Sequence, residues 1–129
     1  MEPNLFKEKM LSADPRNKFA KLELTDAELK YLASKGEGLK EFFSSLNPQG
    51  TEAYVKGLGE IYFVSFEELP DLQKEYDCDD YFIFAVIGGD PVAIKDNKVY
   101  RGTHGTEDYG FELVAESFSE LIRLICESL

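Results

Sequence analysis

Residues Asp80–Leu129 read DYFIFAVIGGDPVAIKDNKVYRGTHGTEDYGFELVAESFSELIRLICESL, and the patterning of this stretch decides the fold. Tyr81–Ile87 is apolar at consecutive positions, as expected of a strand covered on both faces. Gly88-Gly89-Asp90 turns the chain, and Pro91–Lys95 returns it as a second strand. Asp96-Asn97 supplies the left-handed residues of a two-residue hairpin, after which Lys98–Arg101 comes back. Tyr109–Val114 is the last strand expected. The links are too short for crossovers, so the sheet is expected to be largely antiparallel, a meander. Ser117 then opens a helix whose Phe118, Leu121, Ile122, Ile125 and Leu129 recur at spacings of three and four. That spacing makes one apolar stripe, and Phe118 and Leu121 are expected to dock it on the sheet.

Working outward from this block, three capping boxes mark helix starts: Thr25 with Glu28, Ser65 with Glu68, and Ser117 with Glu120. In each, a hydroxyl can satisfy an orphan backbone N–H while the glutamate reaches back to the cap. Leu24 with Leu29, and Val64 with Leu69, add hydrophobic staples to the first two. The first helix is expected to end near Ser34, before the glycines of Lys35-Gly36-Glu37-Gly38. A second runs over 39–46 and stops at Asn47-Pro48-Gln49-Gly50, and a short helix is expected over 4–11. Pro70 delays or bends the helix after Ser65. Strands are expected at 52–56 and 60–64. The result is an α+β fold: N-terminal helices, an antiparallel meander, and a closing C-terminal helix.

A chain of 129 residues with 10 Phe and 7 Tyr can build a real core, and one domain spanning 1–129 is expected. No apolar run approaches the roughly 20 residues that a membrane helix needs. The opening MEPNLFKEKM lacks the basic-then-apolar layout of a signal peptide. Cys78 and Cys126 are distant in sequence and read as free thiols. A cytoplasmic protein without a membrane partner is expected.

The net charge is −11, and its placement is uneven. Residues 1–59 hold 9 acidic and 9 basic side chains; residues 60–129 hold 16 acidic and 5 basic. Phosphate contacts need Lys and Arg, so direct nucleic-acid binding is disfavoured. Such a surface gives solubility, and it also speeds encounter with a basic partner.

The chemistry-bearing residues do not assemble a catalytic set. His104 is the only histidine, and Thr103-His104-Gly105-Thr106-Glu107-Asp108 places a hydroxyl, an imidazole and carboxylates together. Side-chain-to-backbone bonds in a glycine-containing turn account for the same residues. Gly88-Gly89 fits neither the dinucleotide fingerprint nor the phosphate loop. Cys78, Cys126 and His104 lack zinc-ligand spacing, and the acidic run from Asp77 lacks the glycine of a calcium loop. No metal and no cofactor are expected. Carboxylates around Cys78 should push its thiol up, against a nucleophilic role. The run Glu75, Tyr76, Asp77, Asp79, Asp80 and Tyr81 reads either as a solvated loop or as a patch for a basic partner. Its aromatic residues would then be the anchors. Glu107 and Asp108 complete that candidate partner-binding set.

Several of these motifs carry a resemblance. The Gly88-Gly89-Asp90 turn, Val99-Tyr100, His104-Gly105 and Ala115-Glu116-Ser117-Phe118-Ser119-Glu120 follow in an order similar to the C-terminal half of the SUKH superfamily. Ser65-Phe66-Glu67-Glu68-Leu69 resembles the short helix after an early strand in that superfamily. Glu41-Phe42-Phe43 with Leu46-Asn47 and Gly50 is a weaker counterpart upstream. The resemblance covers residues 60–129. The acidic-proline opening of the family's main helix is absent, Gly36 and Gly38 stand there, and the chain has no Trp. What the resemblance implies is a non-enzymatic immunity protein that binds and neutralises a cognate basic toxin domain, a nuclease or deaminase. A monomer or weak homodimer is expected. The alternatives are a regulatory or scaffold module of the same fold and, behind it, a small enzyme centred on His104.

Overall fold

The computed structural model describes residues 3–129; Met1 and Glu2, the first two residues of the MEPNLFKEKM opening, lie outside the described residues. Three helices come first: α1 (Pro3–Ala13), α2 (Asp26–Lys35) and α3 (Leu39–Ser45). The strands are β1 (Thr51–Val55), β2 (Gly59–Phe63), β3 (Phe82–Ile87), β4 (Asp90–Lys95), β5 (Lys98–Arg101) and β6 (Glu112–Ala115). They form one sheet in chain order, every neighbour antiparallel. α4 (Leu69–Glu75) links β2 to β3, and α5 (Phe118–Ser128) closes the chain. The fold is α+β, as the patterning predicts.

Local chemistry explains the hairpins. Gly88 and Gly89 have φ of 56° and 89°, and Asp96 and Asn97 have 51° and 67°. Positive φ at both central residues matches the right-handed twist of the flanking strands. Two expectations shift. Asp90 opens β4 opposite Ile87 instead of belonging to the turn. The last strand starts at Glu112, not Tyr109, because Asp108, Tyr109 and Gly110 take φ of 60°, 56° and 53° in succession. No strand accommodates such a run.

The caps differ among themselves. Thr25 and Glu28 form the full reciprocal box, with Glu28 N–H donating to Thr25 Oγ1 at 3.2 Å and Thr25 N–H to Glu28 Oε1 at 2.9 Å. At Ser65 the Glu68 carboxylate instead accepts from both the N–H and the hydroxyl of Ser65. A 3₁₀ turn over Phe66–Glu68 results, and α4 begins only at Leu69, with Pro70 in its first turn. A missing N–H there costs no hydrogen bond. At Ser117 the hydroxyl accepts from Glu120 N–H, but the Glu120 carboxylate reaches Glu116 N–H, one residue upstream. Because α2 fully buries only Leu32, it leans on its cap. Thr25→Ala should cost about 1 kcal/mol. Amide exchange in α2 should quicken, while exchange in β3 and β4 tracks only the global loss.

The core lies between the sheet and α1, α3 and α5. Phe42 of α3 meets Phe6 at 5.6 Å between ring centroids, Phe63 at 5.6 Å and Phe118 at 5.0 Å. Phe84 meets Phe118 at 5.3 Å and Phe63 at 6.1 Å. A bulge between Ile83 and Ala85 shifts the register at Phe84, so Phe84 joins this cluster although Ala85 also faces the helices. The opposite sheet face carries Ile83, Ala93 and Tyr100 in register.

Two side chains finish the sheet where strands leave backbone groups open. The Asn17 amide accepts from Glu52 N–H and donates to Glu52 O, both at 3.0 Å, which occupies the free edge of β1. β2 pairs with β3 only over residues 85–87. Beyond its end, Gln73 of α4 takes the place of a strand, accepting from Ile83 N–H at 3.1 Å and donating to Tyr81 O at 2.9 Å.

Candidate functional site

Two segments cross the second sheet face: residues 76–81, which follow α4, and the loop 102–111 between β5 and β6. Gly102 lets that loop start close to the sheet, since a Cβ there would sit 2.9 Å from the Phe111 ring and 3.1 Å from Pro91. Tyr81 stacks on Phe111 with centroids 3.8 Å apart, and Tyr100 meets Tyr81 edge-on. Tyr109 packs against both Tyr76 and Phe111. The left-handed run at 108–110 is what folds Tyr109 back onto this cluster. Thr103 N–H donates to Tyr109 O, which closes the loop, and the Tyr109 hydroxyl accepts from Asp77 N–H at 3.3 Å, which joins the two segments.

Between them lies a cleft of about 440 Å³. Asp77, Asp79, Asp80 and Tyr81 line one wall and Asp108 the other, with Cys78, Tyr109 and Phe111. The fold therefore brings together five of the residues singled out from sequence. The other three sit apart. Glu75, the last residue of α4, and Glu107 are exposed outside the lining. Tyr76 is buried, and its hydroxyl donates to Gly89 O at 2.6 Å, so it anchors the wall. Burial, then the nearby Glu75 carboxylate, push its phenol up. Burial is also the main cause that pushes the Cys78 thiol up, with Asp79 and Asp77 adding to it. Cys78 and Cys126 are both free thiols. Among the described residues, no three His, Cys, Asp or Glu side chains are grouped to hold a metal ion.

Three residues that the sequence places in a turn, a strand and a loop form one ionic cluster beside this cleft. Asp90 Oδ1 accepts from His104 N–H at 3.0 Å and lies 2.5 Å from His104 Nδ1. Asp90 Oδ2 accepts from Arg101 Nε at 2.9 Å and pairs with Arg101 Nη2 2.8 Å away, and Arg101 Nη1 donates to Leu58 O. The Asp90 side chain is 12% exposed and the His104 side chain 61% exposed. Burial pushes the Asp90 carboxyl up, but the His104 and Arg101 hydrogen bonds outweigh it and hold it below the usual carboxylate range. Among the described residues, the imidazole has Asp90 as its only hydrogen-bond partner. The cluster ties the 102–111 loop to β4 and to the β1–β2 turn. A glycine-rich turn and a lone Asp gave no sequence signal of it. No family model matches the chain, and no curated protein matches it.

The cleft can make a charged, partly aromatic contact. Its four carboxylates are exposed at the rim, and the only cation over its aromatic wall is Lys95, whose Nζ lies 5.2 Å from the Tyr81 centroid among the described residues. The fixed rings below the rim exclude water from one side of any bound group. Such an arrangement suits Lys or Arg side chains of a protein partner.

Among the described residues no helix is long and apolar enough to cross a membrane.

Proposed function

We propose that this protein is a non-enzymatic protein-binding module of the SUKH type, an immunity protein acting in the cytoplasm on a cognate basic toxin domain. The observation that carries the reading is the cleft, where Asp77, Asp79, Asp80 and Asp108 stand over a packed aromatic base. An antiparallel meander closed by a helix that opens on Ser117-Phe118 agrees with the resemblance. The His104 imidazole, bound to Asp90 within a loop clamp, has the role of a fastener in this reading. The toxin domain would be a nuclease or deaminase, whose substrate-binding surface is cationic for the phosphates it must hold. An acidic cleft competes for that surface.

The test pairs the protein with the basic C-terminal domain of a secreted toxin encoded beside it. A one-to-one complex is expected, with an association rate that falls steeply as salt rises. Replacing Asp77, Asp79 and Asp80 together by Asn should slow association about tenfold at low salt with an unchanged urea midpoint. A salt-insensitive complex, or none, removes the reading.

A further inference from the structure

A second concave surface lies on the helical side. α2 forms one wall, and the Phe66–Glu68 turn with α4 forms the other, around a groove of about 680 Å³. That volume falls in the range of sites that enclose a substantial ligand, about 300–1,000 Å³. Tyr31, Phe66, Leu69 and Phe82 supply an apolar base. Tyr31 meets Phe82 edge-on at 6.0 Å yet is 48% exposed, so its ring is held in place with a face left to water.

The rim is acidic. Glu23, Glu28, Glu67 and Asp79 border the groove, against the single cation of Lys74. Two of these carboxylates are fixed by the fold: Glu28 Oε1 accepts from Thr25 N–H, and Glu67 Oε1 accepts from Asn47 Nδ2. Each retains a second oxygen for another donor. Carboxylates already ordered lose little freedom on meeting a cation. Phosphate-bearing partners are repelled by such a rim, and so is an anionic membrane surface.

We propose that this groove seats one aromatic or branched aliphatic side chain from a protein segment that carries Lys or Arg on both sides of it. The base receives the apolar anchor while the rim pairs with the flanking cations. This site is separate from the cleft of the previous subsections, sharing only Asp79 on its border. It requires neither a toxin nor a family assignment.

The probe is a fluorescein-labelled short peptide with a central phenylalanine between lysines and arginines, followed by polarisation on the full chain at low salt. Companion peptides replace the phenylalanine by serine, or the cations by glutamates. Saturable binding of the first peptide is expected, with affinity about tenfold weaker for the serine peptide and no binding of the acidic one. Glu23→Lys, at an exposed rim position, should weaken the first peptide about tenfold with an unchanged urea midpoint. Asp108→Asn, on the other cleft, should leave it unaltered. Equal binding of the phenylalanine and serine peptides overturns the proposal, because attraction would then be charge alone. So does the absence of saturable binding, or a loss with Asp108→Asn as large as with Glu23→Lys.

Discussion

Phe118→Ala is expected to destabilise the protein by about 3–5 kcal/mol, a large part of the 5–15 kcal/mol that typically separates a domain from its unfolded chain. Phe118 is fully enclosed, and its ring meets Phe42 of α3 and Phe84 of β3 edge-on. It therefore joins three elements that are distant in sequence. Truncation leaves a void that rigid neighbours cannot fill, since Phe42 and Phe84 are themselves held by Phe63. The position also follows the Ser117 cap, so α5 loses its first point of contact with the sheet. The urea midpoint should fall by the full amount with little change in slope. Phe118→Leu should recover more than half of the loss. A cost below about 1 kcal/mol for Phe118→Ala would mean that α5 is not held through this ring.

The elements most readable from the residues are those fixed by near neighbours. The Gly88-Gly89 and Asp96-Asn97 turns are read because Gly, Asn and Asp take left-handed conformations most readily, and the antiparallel order follows from their shortness. The stripe from Phe118 to Leu129 is read from its period. Residues whose partners are distant stayed hidden. Nothing in the sequence marks Asn17, yet it completes the edge of β1 by bonding to Glu52, 35 positions away. Nothing local to Gln73 shows that it substitutes for a strand beside Ile83. The bulge at Phe84 has no mark in a uniformly apolar run. At the cleft, the density of Asp residues was visible, but Tyr109 and Phe111 were assigned to a strand that the left-handed run excludes. Tyr76 carried the composition of an anchor for a partner, and packing turned it inward to Gly89. The groove between α2 and α4 unites residues some 50 positions apart, from Tyr31 to Phe82, and no local pattern announces it.

Asp90→Asn tests the clamp that holds the cleft in shape. The change preserves side-chain volume but removes the charge that faces Arg101 and the His104 ring. Hydrogen bonds to a charged group contribute about 1.5–3 kcal/mol, and a loss of about 2 kcal/mol is expected at neutral pH. The pH dependence has a definite sign. The carboxyl of Asp90 is held below its ordinary value of 3.8 in the folded chain. Its contribution is therefore present above about pH 4 and disappears as pH falls through the lowered folded-state value. The stability gap between the native protein and Asp90→Asn should shrink as pH falls below about pH 4. A gap that grows below about pH 4 would contradict the clamp. The same variant separates stability from binding. Asp90 lies outside the cleft lining, but it fixes the loop whose Tyr109 bonds to Asp77 N–H. Release of that loop should unlink the Asp108 wall from the Asp77–Tyr81 wall. Partner affinity should then fall severalfold at pH 7, where more than nine-tenths of the variant is still folded. Amide exchange should quicken from Thr103 to Gly110, ahead of the sheet. Unchanged exchange in that loop would leave Asp90 as a contributor to stability alone, with the cleft held by its aromatic stack.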